Sequence, residues 1–151
     1  MSESNPIRIF VAHTFSEHPD YLRVFEYLES RPNFFYHNCS NPGTRPASGD
    51  SDAIKEELRK QLQLAEILIL PVTLFSLSPV LITFQVDAAK GLKKPVLAIK
   101  SFGETVAIKK DLLDKADDIV DWNNRTISEA IKRLARNDSS GQWEVIEFKL
   151  D

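Results

Sequence analysis

Residues 67–99 read ILILPVTLFSLSPVLITFQVDAAKGLKKPVLAI, and this stretch decides the fold. The apolar runs at 67–72 and 95–99 predict two buried strands, and the proline of the first run must lie at its end because it has no N–H to donate. Between them, the serine and proline at 78–79 are typical of a helix start, and the helix is expected to end near Gly91. Strand, helix and strand in this order predict parallel pairing through a right-handed crossover.

The same alternation of strand and helix patterns continues on both sides of this stretch. Further strands are expected at 7–12, 34–39 and 118–122, and further helices near Pro19 and Lys109 and at a capping box that begins at Thr126. Asp52 is expected to cap a helix that runs through Ala65, with an inward face made of Ile54, Leu58, Leu62 and Ala65. Five strands alternating with helices predict an α/β fold, a three-layer sandwich with a five-stranded parallel sheet in the flavodoxin-like order 2-1-3-4-5. Residues 1–137 are predicted to form this domain. Residues 138–151 are predicted to be a C-terminal tail, either an added edge strand or a flexible arm.

Composition excludes several classes of protein. The 151 residues are 42% hydrophobic and 27% charged, which suits one globular domain with an apolar core. A net charge of -3 argues against nucleic acid as a partner. The chain has no apolar run of membrane-spanning length, no signal-peptide pattern and a single cysteine, so no membrane association and a cytoplasmic location are expected. It also lacks paired cysteines, an HExxH helix and a glycine-rich phosphate loop, so no metal and no required cofactor are expected.

Polar and aromatic residues fall where the predicted strands end, at the edge of the sheet where ligands of such folds bind. The candidates for nucleotide contact at this edge are His13, Thr14, Phe15, Arg45 and Ser76. His13 could serve as an acid, a base or a nucleotide contact, or it could be a surface residue of a turn. Arg45 could bind a phosphate with two parallel hydrogen bonds, or it could be solvated. Ser76 could form a pocket wall, or it could serve only to cap a helix.

Five stretches together resemble one known family. They are RIFVAHTF, DYLRVFEYLESRPNFFYHNCSNP, AEILILPVTLFSLSPV, VDAAKGLKKPVLAIKSFG and ADDIVDWNNRTISEAI. In this order and spacing, over residues 7–135, they resemble the TIR-like family of small prokaryotic proteins, which are flavodoxin-like relatives of Toll/interleukin-1 receptor domains. The family acts in bacterial signalling and antiphage defence, including systems of the Thoeris type. The resemblance therefore implies the TIR-like form of the order 2-1-3-4-5, and a protein partner or self-assembly.

The resemblance also implies a place for nucleotide chemistry. Catalytic members consume NAD with a glutamate on the third helix, which contacts the ribose beside the nicotinamide. Aligned through Phe84 and the pair Lys94 and Pro95, that glutamate corresponds to Gln85 in this chain, and an upstream tryptophan corresponds to Leu81. NAD or an ADP-ribose-type nucleotide is therefore the candidate ligand or substrate, with Leu81 and Gln85 among the candidate contacts.

The amide at Gln85 changes the expected chemistry. A negative charge stabilises the sugar cation that develops during glycosidic cleavage, and its loss commonly costs about 3 kcal/mol of transition-state stabilisation. An amide can still hydrogen-bond a ribose hydroxyl. Gln85 could equally lie at the border of a helix face made of Leu81, Phe84, Ala88 and Leu92, with no role in binding. Asp87 is not a substitute, because two residues along a helix it points about 200° away.

Two functions are consistent with these residues, and two further classes share the architecture. The first is a signalling or defence module that binds a partner and an NAD-related nucleotide, with weak or no NAD hydrolysis. The second is an active NAD glycohydrolase or cyclase in which another acid, such as Glu17 or Glu104, reaches the cleft. A response-regulator receiver would need acids after the first strand, where this chain has Ala12 and His13. A nucleoside deoxyribosyltransferase would need a carboxylate nucleophile, which Gln85 cannot supply.

Overall fold

The computed structural model describes residues 1–101 and 110–138. Within them, five parallel strands form one sheet in the order β2-β1-β3-β4-β5. The strands are β1 (Ile7–Val11), β2 (Tyr36–Asn38), β3 (Ile67–Pro71), β4 (Val96–Ile99) and β5 (Asp118–Val120). The helices are α1 (Pro19–Glu29), α2 (Ser51–Leu64), α3 (Pro79–Gly91), α4 (Lys110–Asp114) and α5 (Asn124–Arg136). The predicted three-layer α/β sandwich and its strand order are confirmed.

Each face of the sheet is covered by its own set of helices. Successive strand residues point to opposite faces, so Ile7, Ile9 and Val11 pack in the cluster shared with α1 and α5. Phe10 and Ala12 pack in the other cluster, shared with α2 and α3. Both faces are buried, which explains why β3 and β4 are almost wholly apolar in sequence.

Most predicted local signals act as expected. Pro71 ends β3, and Ser78 caps α3 by accepting a hydrogen bond from the Leu81 N–H. The predicted inward face of α2 is confirmed, because all four of its residues are buried: Ile54, Leu58, Leu62 and Ala65. β2 is shorter than predicted, since only three of its residues pair with β1.

Three predictions about helix ends and faces are wrong. α5 begins at Asn124, because the Asn123 side chain accepts from the Thr126 N–H and so caps the helix before the predicted capping box. α2 begins at Ser51, so Asp52 lies in its first turn and is not the cap. The most buried face of α3 is also different from the predicted one. Its fully buried residues are Ile82, Gln85, Val86 and Ala89, whereas Leu81, Phe84, Ala88 and Leu92 are only partly buried.

Some predictions fall outside the described residues. Glu104 and almost all of the 138–151 tail are among them, so the edge-strand and flexible-arm alternatives for the tail both stay open. The 1–137 domain boundary likewise stays a prediction. No helix in the described ranges has the length and apolarity to cross a bilayer.

Candidate functional site

The candidate site is built around His13, which follows β1 at the carboxyl edge of the sheet. The residue is fully buried. Its ring lies among Phe10, Phe15 and Tyr21, with ring centroids 5.6, 4.9 and 6.2 Å away. The interpretation of His13 as a surface turn residue is therefore wrong. An imidazole in such surroundings needs a hydrogen-bond partner for each nitrogen, because water does not reach it.

The Gln85 side chain on α3 holds the backbone of His13 from one side. Its Oε1 accepts a hydrogen bond from the His13 N–H at 3.1 Å, and its Nε2 donates to the His13 carbonyl at 2.8 Å. The same Nε2 donates to the Leu81 carbonyl at 3.1 Å. The side-chain amide thus pairs with the peptide of His13 much as a neighbouring strand would, and we call this arrangement the Gln85 clamp.

The Gln85 clamp gives a physical reason for an amide at this position. Gln85 is fully buried and uses both of its N–H groups. A carboxylate could accept from the His13 N–H, but it could not donate to the carbonyls of His13 and Leu81. Those carbonyls would then face a buried negative charge, which is strongly unfavourable.

The His13 ring is held in one tautomer. Its Nδ1 accepts from the Phe15 N–H at 3.1 Å, so the proton of the neutral ring lies on Nε2 and is donated to Gln61 Oε1 at 3.0 Å. Burial lowers the pKa of His13 below its usual 6.5, although the Gln61 hydrogen bond and the Glu57 carboxylate act in the opposite direction. The ring is therefore neutral at pH 7 and cannot supply a positive charge to the edge.

Gln61 connects this ring to the loop that follows β2. Its Oε1 also accepts from the Asn41 N–H at 2.9 Å, and its Nε2 donates to Thr44 Oγ1 at 2.8 Å and to Glu57 at 2.9 Å. The loop is thereby fixed to α2 just before Arg45. Sequence reasoning missed Gln61, although it falls between Leu58 and Leu62 on the inward side of α2, and that spacing was the available signal.

A buried carboxylate lies at the same edge. Asp20, in the first turn of α1, is 6% exposed and accepts hydrogen bonds from Arg23 and from the Thr73 hydroxyl beyond β3. Beside it, the Tyr21 hydroxyl and Ser40 Oγ are 2.9 Å apart. Sequence reasoning missed Asp20, because an acid in a first helical turn is common for reasons of the helix dipole alone.

The structure brings together only part of the predicted set. His13, Phe15, Leu81 and Gln85 share hydrogen bonds at the carboxyl edge. The other three candidates do not hydrogen-bond to this group within residues 1–101 and 110–138. Thr14 is half-buried and contacts Ser16, Ser76 is exposed and donates to the Thr73 carbonyl, and Arg45 is exposed.

Phe15 adopts a φ of 60°, in the left-handed region that aromatic residues rarely occupy. This conformation turns its N–H back onto His13 Nδ1 and keeps its ring edge-on to the imidazole. The sharp turn after β1 is thus held by the same histidine that the Gln85 clamp fixes.

Metal and thiol chemistry find no support at this edge. In the part of the chain that the structure describes, no group of three or more His, Cys, Asp or Glu residues could hold a metal ion. Cys39 is half-buried and packs beside the α2 and α3 cluster. Burial raises the pKa of its thiol, which disfavours the thiolate that a nucleophile requires.

The fold and this edge define a flavodoxin-like α/β protein whose first strand ends in a buried, neutral polar cluster. No protein-family model matches the chain, and no curated protein matches it. The TIR-like resemblance therefore stays a prediction from sequence.

Proposed function

We propose that this chain is a TIR-like signalling or antiphage-defence module that binds a partner and an NAD-related nucleotide, with little or no NAD hydrolysis. One observation carries the proposal. The residue at the glutamate position of the resembling enzymes, Gln85, is a neutral, fully buried amide whose N–H groups are bonded to main-chain carbonyls. It has no charge to stabilise a sugar cation.

The chemistry of the edge favours binding over cleavage. A charge aimed at the developing cation is worth about 3 kcal/mol in such sites, or about a hundredfold in rate. His13 is neutral and buried, and Gln85 is occupied by the protein backbone. A nucleotide at this edge would meet Phe15 and Thr14 at the end of β1, with Arg45 on the loop as the candidate phosphate contact.

The test is NAD consumption by the purified full-length protein, dilute and concentrated, because some TIR-like enzymes act only when assembled. We expect no turnover in either condition. We also expect Gln85→Glu to gain no activity, since the new carboxylate would face two carbonyls in a dry site; Gln63→Glu, on the exposed side of α2, is the matched control. Clear turnover by the unaltered protein would overturn the proposal.

The nucleotide half of the proposal has its own measurement. ADP-ribose binding by calorimetry is expected for the unaltered protein, and Arg45→Gln is expected to weaken it while Arg45→Lys keeps part of the affinity. Arg59→Gln, which changes an exposed arginine on α2, is the control. If ADP-ribose does not bind, the nucleotide half of the proposal is refuted and only the binding of a partner remains proposed.

An active NAD glycohydrolase or cyclase is the second candidate, because Asp20 is a buried carboxylate at the same edge. Its oxygens are bonded to Arg23 and Thr73, so it would have to exchange one of them for the ribose. If turnover is found, its loss in Asp20→Asn would support this function with Asp20 as the acid. Its loss in Glu17→Gln or Glu104→Gln would assign the acid to one of those residues instead.

A further inference from the structure

A groove between α2 and α3 combines an apolar floor with positive charge. Its lining is Lys55, Pro79, Val80, Thr83, Phe84 and Asp87. Val80 is 74% exposed, which is high for an apolar side chain in a helix. Lys55 Nζ and the Arg59 guanidinium lie 5.6 and 5.3 Å from the centre of the Phe84 ring. We call this surface the α2/α3 groove.

Two acids near the α2/α3 groove already have partners. Asp87 pairs with Lys115, and Glu56 pairs with Arg59 at 3.1 Å. Lys55 forms no ion pair with any residue of the two described ranges. The groove therefore offers an apolar contact beside a cation that is available to a carboxylate from another molecule.

The outer face of α1 has the opposite charge and an exposed apolar side chain. Leu22, Glu26 and Glu29 are four and three residues apart, so they lie along one side of the helix, and all three are exposed. Leu22 is 41% exposed. Glu26 forms no ion pair in the described part of the chain, and Glu29 accepts a hydrogen bond from the Tyr36 hydroxyl at 2.7 Å. We call these three residues the α1 stripe.

We propose that the α1 stripe of one copy of this chain docks in the α2/α3 groove of a second copy. Leu22 would pack on Val80 and Phe84, and Glu26 would pair with Lys55. A second copy is the occupant that the surfaces favour, because one chain carries both halves of the match: an exposed leucine with carboxylates, and an exposed valine and a half-buried phenylalanine with cations.

The positions of the two surfaces determine the kind of assembly. α1 packs on one face of the sheet, and α2 and α3 pack on the other. The contact joins two different surfaces, so it is heterologous, and each added copy leaves one stripe and one groove open. Assemblies larger than a dimer are therefore expected, either as open chains or as rings where the rotation between copies closes. Their contacts are small and partly ionic, so the association should be weak and should weaken further with salt.

The first experiment is sedimentation velocity of the full chain over a concentration series. We expect species larger than a dimer at high concentration, and their loss in about 1 M salt, where charges more than about 3 Å apart are screened. Val80→Glu and Leu22→Arg should each weaken self-association about tenfold or more, because each places a charge opposite one of the same sign. Ile119→Glu and Leu64→Arg make the same changes at other exposed apolar residues and should leave the association unchanged.

The second experiment mixes the two variants. The Val80→Glu protein keeps an intact stripe and the Leu22→Arg protein keeps an intact groove, so together they should form a 1:1 dimer that is closed at both ends and does not grow. This result would also show that both variants are folded. A chain that stays monomeric at every concentration, or variants that form no dimer when mixed, would overturn the proposal.

The proposed contact makes a second copy of the chain the partner of the proposed module. It depends only on the α1 stripe and the α2/α3 groove, not on nucleotide binding. Failure of ADP-ribose binding would leave the docking of α1 in the groove intact. A strictly monomeric chain would likewise leave the nucleotide proposal intact. The two failures are therefore distinguishable.

Discussion

The two ends of the sheet are stabilised in different ways. At the carboxyl edge, the neutral amides of Gln85 and Gln61 bond to His13, and all three residues are at most 5% exposed. At the amino edge, ion pairs predominate: Glu66 accepts two hydrogen bonds from the Arg136 guanidinium, at 2.8 and 2.9 Å. Water can replace a partner at the amino edge but not in the buried carboxyl-edge cluster. Removing one group should therefore cost more at the carboxyl edge.

This difference bears on function as well as on stability. The hydrogen bonds that fix the end of β1 come from uncharged side chains, so the proposed nucleotide would meet no charge from His13 or Gln85. The carboxylate that does lie there, Asp20, is already bonded to Arg23 and Thr73. The amino edge, which has no proposed ligand, carries a bidentate ion pair in which the Arg136 guanidinium donates to both oxygens of Glu66.

The largest expected effect comes from removing the Gln85 clamp. Gln85→Leu leaves the His13 N–H and carbonyl buried without partners, and we expect a loss of about 2–3 kcal/mol in the free energy of unfolding. Urea denaturation monitored by circular dichroism measures it. Gln63→Leu, on an exposed side of α2, is the control and should change stability by less than about 0.5 kcal/mol. A Gln85→Leu protein as stable as the control would show that the clamp is dispensable.

Gln61→Leu should have a smaller effect, because part of its network lies closer to the surface. The side chain bonds to His13, Asn41, Thr44 and Glu57, of which Asn41 is exposed and the last two are half-buried. We expect a loss of about 1–2 kcal/mol in the free energy of unfolding. Amide hydrogen exchange should localise the change, with faster exchange at the Asn41 N–H and unchanged exchange in β4. Uniformly faster exchange throughout the sheet would contradict a local role for Gln61 in fixing the loop.

The sequence predicts the fold well because the signals for it are local. β3 and β4 are apolar runs on either side of a helix with a serine cap, and each of these features is read within a few residues. Sequence alone does not show whether Asn123 or Thr126 caps α5, because both residue types are good caps. Only the backbone conformation at Asn123 decides between them.

The candidate site depends on partners that are distant in the chain. Gln85 and His13 are separated by 72 residues, and Gln61 and His13 by 48. No period or motif within α3 indicates that an amide there pairs with the end of β1, so sequence reasoning assigns Gln85 only by its position in an alignment. The burial of Asp20 likewise depends on Thr73, which lies 53 residues away.

Acid should weaken the carboxyl edge before it weakens the amino edge. Burial lowers the pKa of His13 from 6.5, so below that pH the unfolded chain binds a proton that the folded chain does not. Stability from this residue is therefore complete above pH 6.5 and falls as the pH decreases, by at most about 1.4 kcal/mol per pH unit. Thermal unfolding between pH 7.5 and about 5.5 measures it. His13→Gln should flatten the slope, whereas His37→Gln, at an exposed residue, should not; equal slopes in all three proteins would contradict this account.

The smallest expected effect is at the amino edge, where the Arg136 hydrogen bonds lower the pKa of Glu66 below its usual 4.5. Because the folded pKa is lowered, this contribution is complete above pH 4.5 and is lost only as the pH falls through the folded value, well below the range in which His13 acts. Glu66→Gln keeps the shape of the side chain and removes its charge. Because the Glu66 and Arg136 side chains are 17–18% exposed, we expect a loss of about 1 kcal/mol in the free energy of unfolding, and this loss should shrink in high salt. Measuring Glu66→Gln and Gln61→Leu in low and high salt contrasts the two edges directly. The Glu66→Gln difference should depend more strongly on salt, because it removes an ion pair, whereas Gln61→Leu removes a neutral amide that contacts the Glu57 carboxylate. Equal salt dependence of the two differences would contradict this contrast between the edges.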